Sequence, residues 1–249
     1  MCRILVSICI ALVLVSTGYG SVDPISNWEA TNTSDGWAVC TWNTQGDTTL
    51  TFGSQGEGVT LGVGCAKTVK TLNHLDTGGK TWGWNIGFAT YNSGGHDNVT
   101  LSVFKSEFWD SIENGDELQF DITYDPISMT DNGGDKFFDS HVYLQVGTNS
   151  GNQVNEQVED LAPWDGSSVQ TFHVAIDTTP MRDGLEGTIG GPGGINWIQI
   201  IIGWQAGPGW DGQGVVYYDD VKLAPAPIPE PATMTLLGLG ALALIRRKR

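Results

Sequence analysis

The sequence predicts an all-β protein, an antiparallel β-sandwich of the jelly-roll kind with one short helix. Three observations predict it. Apolar side chains recur at every second residue through most of the chain, the period of a strand with one buried face. Glycine is plentiful, 34 of 249 residues, and turn pairs such as Asn114-Gly115 and Asp165-Gly166 separate the apolar runs. The 10 Trp all fall between the two chain ends and leucine there is modest, which argues against a helical bundle.

The elements follow in order. Residues 1–20, MCRILVSICIALVLVSTGYG, join Arg3 to an apolar run over 4–15 and a small-x-small site at 18–20. That pattern is a secretory signal helix, cleaved between Gly20 and Ser21. Residues 21–223 form one domain, a length at which a single β core is ordinary. Strand patterns cover 37–43, 58–64, 81–89, 117–125, 141–147, 169–177, 195–204 and 214–223. In 81–89 alternation puts Trp82, Trp84, Ile86 and Phe88 on one face. In 117–125 it puts Leu118, Phe120, Ile122 and Tyr124 inward. One stretch breaks the period. Phe104, Phe108 and Ile112 stand four apart, which predicts a helix over 105–112 ended by Asn114-Gly115. Residues 224–229, APAPIP, read as an extended spacer.

Residues 229–249 close the chain. The uncharged run 232–245 makes a helix about 21 Å long, short of the roughly 30 Å hydrocarbon core. Arg246, Arg247, Lys248 and Arg249 follow it. Apolar run then basic cluster is a stop-transfer order, and the long basic side chains widen the span by reaching the interface. This predicts a single C-terminal transmembrane helix with the cluster in the cytoplasm.

Pro229-Glu230-Pro231, the apolar run and the basic end resemble the PEP-CTERM sorting signal of exported bacterial proteins. The resemblance implies recognition and processing by an exosortase. It also implies transient anchoring in the inner membrane, then a final address on the cell surface or in the extracellular matrix. An ordinary single-pass anchor is the other reading of this tail.

Charge narrows the partners. Of the 12 basic residues only seven lie in 21–227, against 27 of the 28 acids, so the exported body is near −20. Such a charge repels phosphate backbones and excludes nucleic-acid binding. Cys40 and Cys65 are the two cysteines left after signal removal. A bridge would close a loop of about 25 residues and contribute about 3 kcal/mol. Two buried thiols are the alternative, because sequence does not place the two Cβ atoms within reach.

Residues 26–37, SNWEATNTSDGW, and 214–223, GVVYYDDVKL, are similar to the first and last strands of jelly-roll carbohydrate-binding modules. The resemblance implies a structural calcium held by Glu29 and Asp219. A solvated acid in the Asp219-Asp220 pair is the other reading, since adjacent strand residues face opposite sides. Residues 130–139 form a second oxygen-rich loop, read as an acidic turn without the spacing of a calcium loop.

Flat aromatic rings suit the apolar faces of sugars. Trp164 and Trp210 sit in turn-rich loops, where binding and edge packing are both open. Trp82 and Trp84 share a strand face and either line a concave sheet or fill the core. No H-E-x-x-H, G-x-S-x-G or phosphate-loop motif is present, and no short paired-acid motif marks a glycosidase. The sequence therefore predicts an exported, non-catalytic β-sandwich protein contacting polysaccharide. A matrix protein without a ligand and a glycan hydrolase or lyase are the alternatives.

Overall fold

In the computed structural model the described residues are 22–26, 37–38, 48–55, 58–60, 64–72, 81–91, 101–131, 133, 137–148, 150–207 and 209–225. The expected signal, most of the spacer, the tail with its basic cluster, Glu29 and Cys40 lie outside them. Among the described residues no helix is long and apolar enough to cross a membrane.

Eleven strands make two antiparallel sheets. They are β1 (Val22–Ser26), β2 (Trp37–Ala38), β3 (Thr48–Ser54), β4 (Cys65–Leu72), β5 (Thr81–Tyr91), β6 (Glu117–Asp131), β7 (Phe138–Gly147), β8 (Gln153–Leu161), β9 (Gln170–Asp177), β10 (Trp197–Ala206) and β11 (Trp210–Ala224). The six-stranded sheet runs β3-β4-β11-β6-β9, with β1 also on β11; the five-stranded sheet runs β2-β5-β10-β7-β8. The core between them takes Leu118, Phe120, Ile122 and Tyr124 from β6, Val142, Leu144 and Val146 from β7, and Ile198, Ile200, Ile202 and Trp204 from β10. The sandwich and its antiparallel sheets are as the period-two pattern predicts.

The helix is longer than expected. α1 (Leu101–Asn114) buries Phe104, Phe108, Trp109 and Ile112. Its end has a simple cause. Gly115 takes φ +75°, its N–H donates to Ile112 O at 3.1 Å, and the Asp116 N–H donates to Ser111 O at 2.9 Å. Those are the two bonds of a glycine-terminated Schellman cap. α2 (Thr179–Gly184), with Pro180 in its first turn, continues into a π-turn over Leu185–Ile189.

One expected strand differs. Residues 58–60 lie as a turn and extended segment across the outer face of the six-stranded sheet. Val59 packs on a small cluster of Cys65, Val215 and Tyr217. A Cβ on Gly58 would fall 2.1 Å from Tyr217 Cβ, so only glycine lies this close. The Val59 alternation therefore reports packing on a sheet rather than membership of one.

Candidate functional site

The five-stranded sheet carries an unusual outer face. Because side chains alternate, the residues between the core-facing rows of β7 and β10 point away from the sandwich. Register pairs them as Gln205 with Asp139, Gly203 with His141, Ile201 with Tyr143, Gln199 with Gln145, and Trp197 with Gly147. This is a ladder of carboxamides, one imidazole, one carboxylate and two aromatics. Ile201 and Tyr143 pack on each other, apart from the main core.

Its polar members are withdrawn from solvent. His141 is 1% exposed, Gln205 2%, and Asp139 and Gln145 are also buried. Burial pushes the His141 imidazole down to about 3, so it is neutral across the ordinary pH range. The Gln145 Nε2 donates to Gln153 Oε1 at 2.8 Å, which fixes the carboxamide. The Gln205 Oε1 has no hydrogen-bond partner. An acceptor buried in that way costs about 1–3 kcal/mol unless an ordered water answers it. At the far end the Trp197 ring lies over Gly147, where a Cβ would fall 2.2 Å from ring carbons. The glycine lets the indole lie against the backbone.

These residues were missed in the sequence. Strands over 141–147 and 195–204 were expected, but no role was assigned to their polar alternate positions. The usable signal was glutamine: Gln145, Gln199 and Gln205 interrupt strands that are otherwise largely apolar.

The expected site residues are distributed differently. Trp164 and Trp210 are 4% and 7% exposed. Trp164 stacks on Tyr124 at 5.4 Å and on Trp210 at 6.5 Å, and meets Phe138 edge-on at 5.2 Å. Its indole Nε1 donates to Ser168 O at 2.9 Å. Of the two readings left open for these rings, their burial favours edge packing at the end of the sandwich. Trp82 pairs in register with Gln205, so the backbone puts it at the edge of the ladder. The side chains of Trp82 and Trp84 lie outside the described residues.

Asp219 is fully buried on the other sheet. Its Oδ2 accepts from the Thr60 N–H at 2.8 Å and the Thr60 hydroxyl at 3.1 Å, and its Oδ1 accepts from the Asp220 N–H at 2.8 Å. Asp220 stands at a bulge with φ +51° and accepts from the Lys222 ammonium at 2.6 Å. Hydrogen-bond donors and an ammonium therefore answer these acids, and among the described residues no three His, Cys, Asp or Glu converge as metal ligands. Glu29, the expected calcium partner of Asp219, lies outside the described residues.

Cys65 corrects the bridge reading, for it is a buried free thiol whose Sγ donates to Ser54 O at 3.2 Å. Burial, with the nearby Asp219 charge, pushes it up to about 12 and keeps it inert.

The tail decides the address. Residues 227–249 match the family described as the PEP-CTERM protein-sorting motif. This chain carries a PEP-CTERM sorting signal. The PEP-CTERM motif marks an exported surface protein. No curated protein matches the sequence. The fold is similar to a carbohydrate-binding module, CBM28, described as specific for non-crystalline cellulose, at 14% identity and TM-score 0.45, covering 82% of this chain and 98% of that one. It is also similar to CBM27-1 of Caldicellulosiruptor saccharolyticus, solved with mannohexaose, at 15% identity and TM-score 0.45, covering 86% and 100%. A third is the CBM22-1 xylan-binding domain from Paenibacillus barcinonensis, at 10% identity and TM-score 0.37, covering 84% and 100%.

Proposed function

We propose that this PEP-CTERM protein contacts polysaccharide through the outer face of its five-stranded sheet, after exosortase processing delivers it to the surface. One observation carries the reading. The partly exposed Trp197 ring lies over Gly147 at the end of the outer row, near the half-buried Gln199, while Gln145, His141, Asp139 and Gln205 of the same row are buried behind them. A polyol needs donors and acceptors side by side, and carboxamides offer both. A sugar's apolar face needs a flat ring, which Trp197 over Gly147 provides. The outer face of the other sheet is occupied by residues 58–60. Asp139 is the single buried carboxylate of the five-stranded sheet among the described residues, whereas glycoside hydrolysis uses two across the bond.

The test is affinity electrophoresis of the full-length protein in mild detergent against a panel of soluble polysaccharides, with calcium and with EDTA. Wild type should be retarded by at least one glycan, and Trp197→Ala and Gln199→Ala should each weaken that retardation about tenfold with little change in Tm. Loss of retardation in EDTA would bring Asp219 and Glu29 into the binding account as a calcium site. No retardation on any glycan would reject the reading in favour of a structural matrix protein.

A further inference from the structure

We propose that residues 58–60 are a latch that opens independently of the sandwich, and that its position decides whether the Cys65 thiol is sealed or reactive. β3 and β4 pair as a hairpin in which the register pair nearest the loop is Ser54 with Cys65, and 58–60 belong to that loop. The loop folds back over the outer face of its own sheet. Residues 58–60 belong to no strand, so lifting them breaks no ladder bond and leaves the hairpin paired.

Each residue of the segment helps to close it. The Gly58 backbone lies on Tyr217, where a Cβ would fall 2.1 Å from Tyr217 Cβ. Val59 packs on Cys65, Val215 and Tyr217, a cluster separate from the main core. Thr60 is the catch: its N–H and its hydroxyl both donate to Asp219 Oδ2, at 2.8 and 3.1 Å. Thr60 is itself exposed, so water competes for both bonds whenever the segment moves. The floor beneath does not depend on the latch. Tyr217 stands in the ladder between Lys67 and Thr123, and the Lys67 ammonium lies 5.4 Å over its ring. A satellite cluster of this size, held through an exposed catch, opens locally at less cost than the sandwich unfolds. Closed, it leaves Cys65 fully buried, with the Sγ donating to Ser54 O at 3.2 Å. Opening removes that burial, the main cause that keeps the thiol protonated, and restores ordinary thiol reactivity.

Thiol exchange on the full-length protein in mild detergent tests this, with dithiodipyridine, a neutral aromatic disulfide, as the probe. The Cys65 sulfur attacks one sulfur of the probe and forms a mixed disulfide. The probe's own S–S bond breaks, and the released pyridinethione carries off the thiol proton. Peptide mapping separates Cys65 from Cys2, Cys9 and Cys40. The expected result is modification of Cys65 in urea well below the unfolding transition, at a rate proportional to probe and nearly independent of urea. Thr60→Val keeps the side-chain shape and loses the hydroxyl. It should raise that rate about tenfold, the loss of one hydrogen bond to a charged acceptor, with little change in Tm. Gly58→Ala, which pushes the backbone off Tyr217, should also raise the urea-independent rate. Modification that appears only through the unfolding transition, or equal rates in wild type and both variants, overturns the latch and makes 58–60 a fixed part of the sandwich. Modification of the native protein as fast as of the denatured chain overturns the seal.

Discussion

His141 shows how one residue ties the site to the fold. Its neutral form is the one the buried ladder accepts, and its folded value of about 3 lies below the ordinary 6.5. The unfolded chain therefore binds the proton first. Stability from this group is complete above about pH 6.5 and is lost as pH falls toward 3, by up to about 1.4 kcal/mol per pH unit in that window. Thermal melts across pH 7 to about 4 should show Tm falling, and His141→Gln should flatten the fall. An unchanged slope in the variant would assign the acid sensitivity to other groups. At the same scale, Cys65 and Asp219 are buried groups answered on their own side of the sandwich, Cys65 by Ser54 of the neighbouring strand and Asp219 by Thr60 and the Asp220 N–H. Both lie beneath or beside the 58–60 segment.

At the scale of elements, glycine positions set what can lie on a sheet. Gly147 seats Trp197, and Gly58 seats its own segment on Tyr217. The two predict opposite phenotypes. Gly147→Ala should displace the indole and weaken glycan retention while costing little stability, because Trp197 is half exposed. Gly58→Ala should lower Tm while sparing retention, because its segment lies on the other sheet. Isothermal denaturation alongside affinity electrophoresis separates the two.

The strands at 117–125 and 169–177 were legible because they alternate, and 214–223 because it is a run of β-branched and aromatic residues. β8 was not, because QVNEQVEDL is an exposed edge with small apolar residues among acids and amides. β4 was not, because CAKTVKTL puts Thr68 and Lys70 on the core side, where the pattern demands apolar residues. The site itself was hidden for a similar reason. A glutamine facing outward is written the same way whether water or a ligand is to meet it.

At the scale of the molecule, the aromatic side chains join the two sheets. Tyr124 of β6 stacks on Trp164, Trp164 meets Phe138 of β7, and Phe138 stacks on Trp204 of β10 at 4.7 Å. This stack runs from one layer to the other through a residue contributed by a loop. Trp164→Ala should open a cavity at its end and cost about 3–5 kcal/mol. Glycan retention of the folded fraction should be unchanged, in contrast to Trp197→Ala. Selective loss of retention at full stability would instead make Trp164 a sugar contact.

Both β1 and β11, the first and last described strands, belong to the six-stranded sheet. β11 is paired along its length with β6, over its middle with β4 and near its end with β1. On the proposed reading the protein is a mechanical link, tethered through its C-terminal tail and holding a polymer. Tension arriving along the tether enters β11 lengthwise and loads those ladders together in shear. The five-stranded sheet holds neither the first nor the last described strand, so a pull on β11 reaches it only across the packed core. The part that must keep its shape to hold on is thus kept out of the direct line of force.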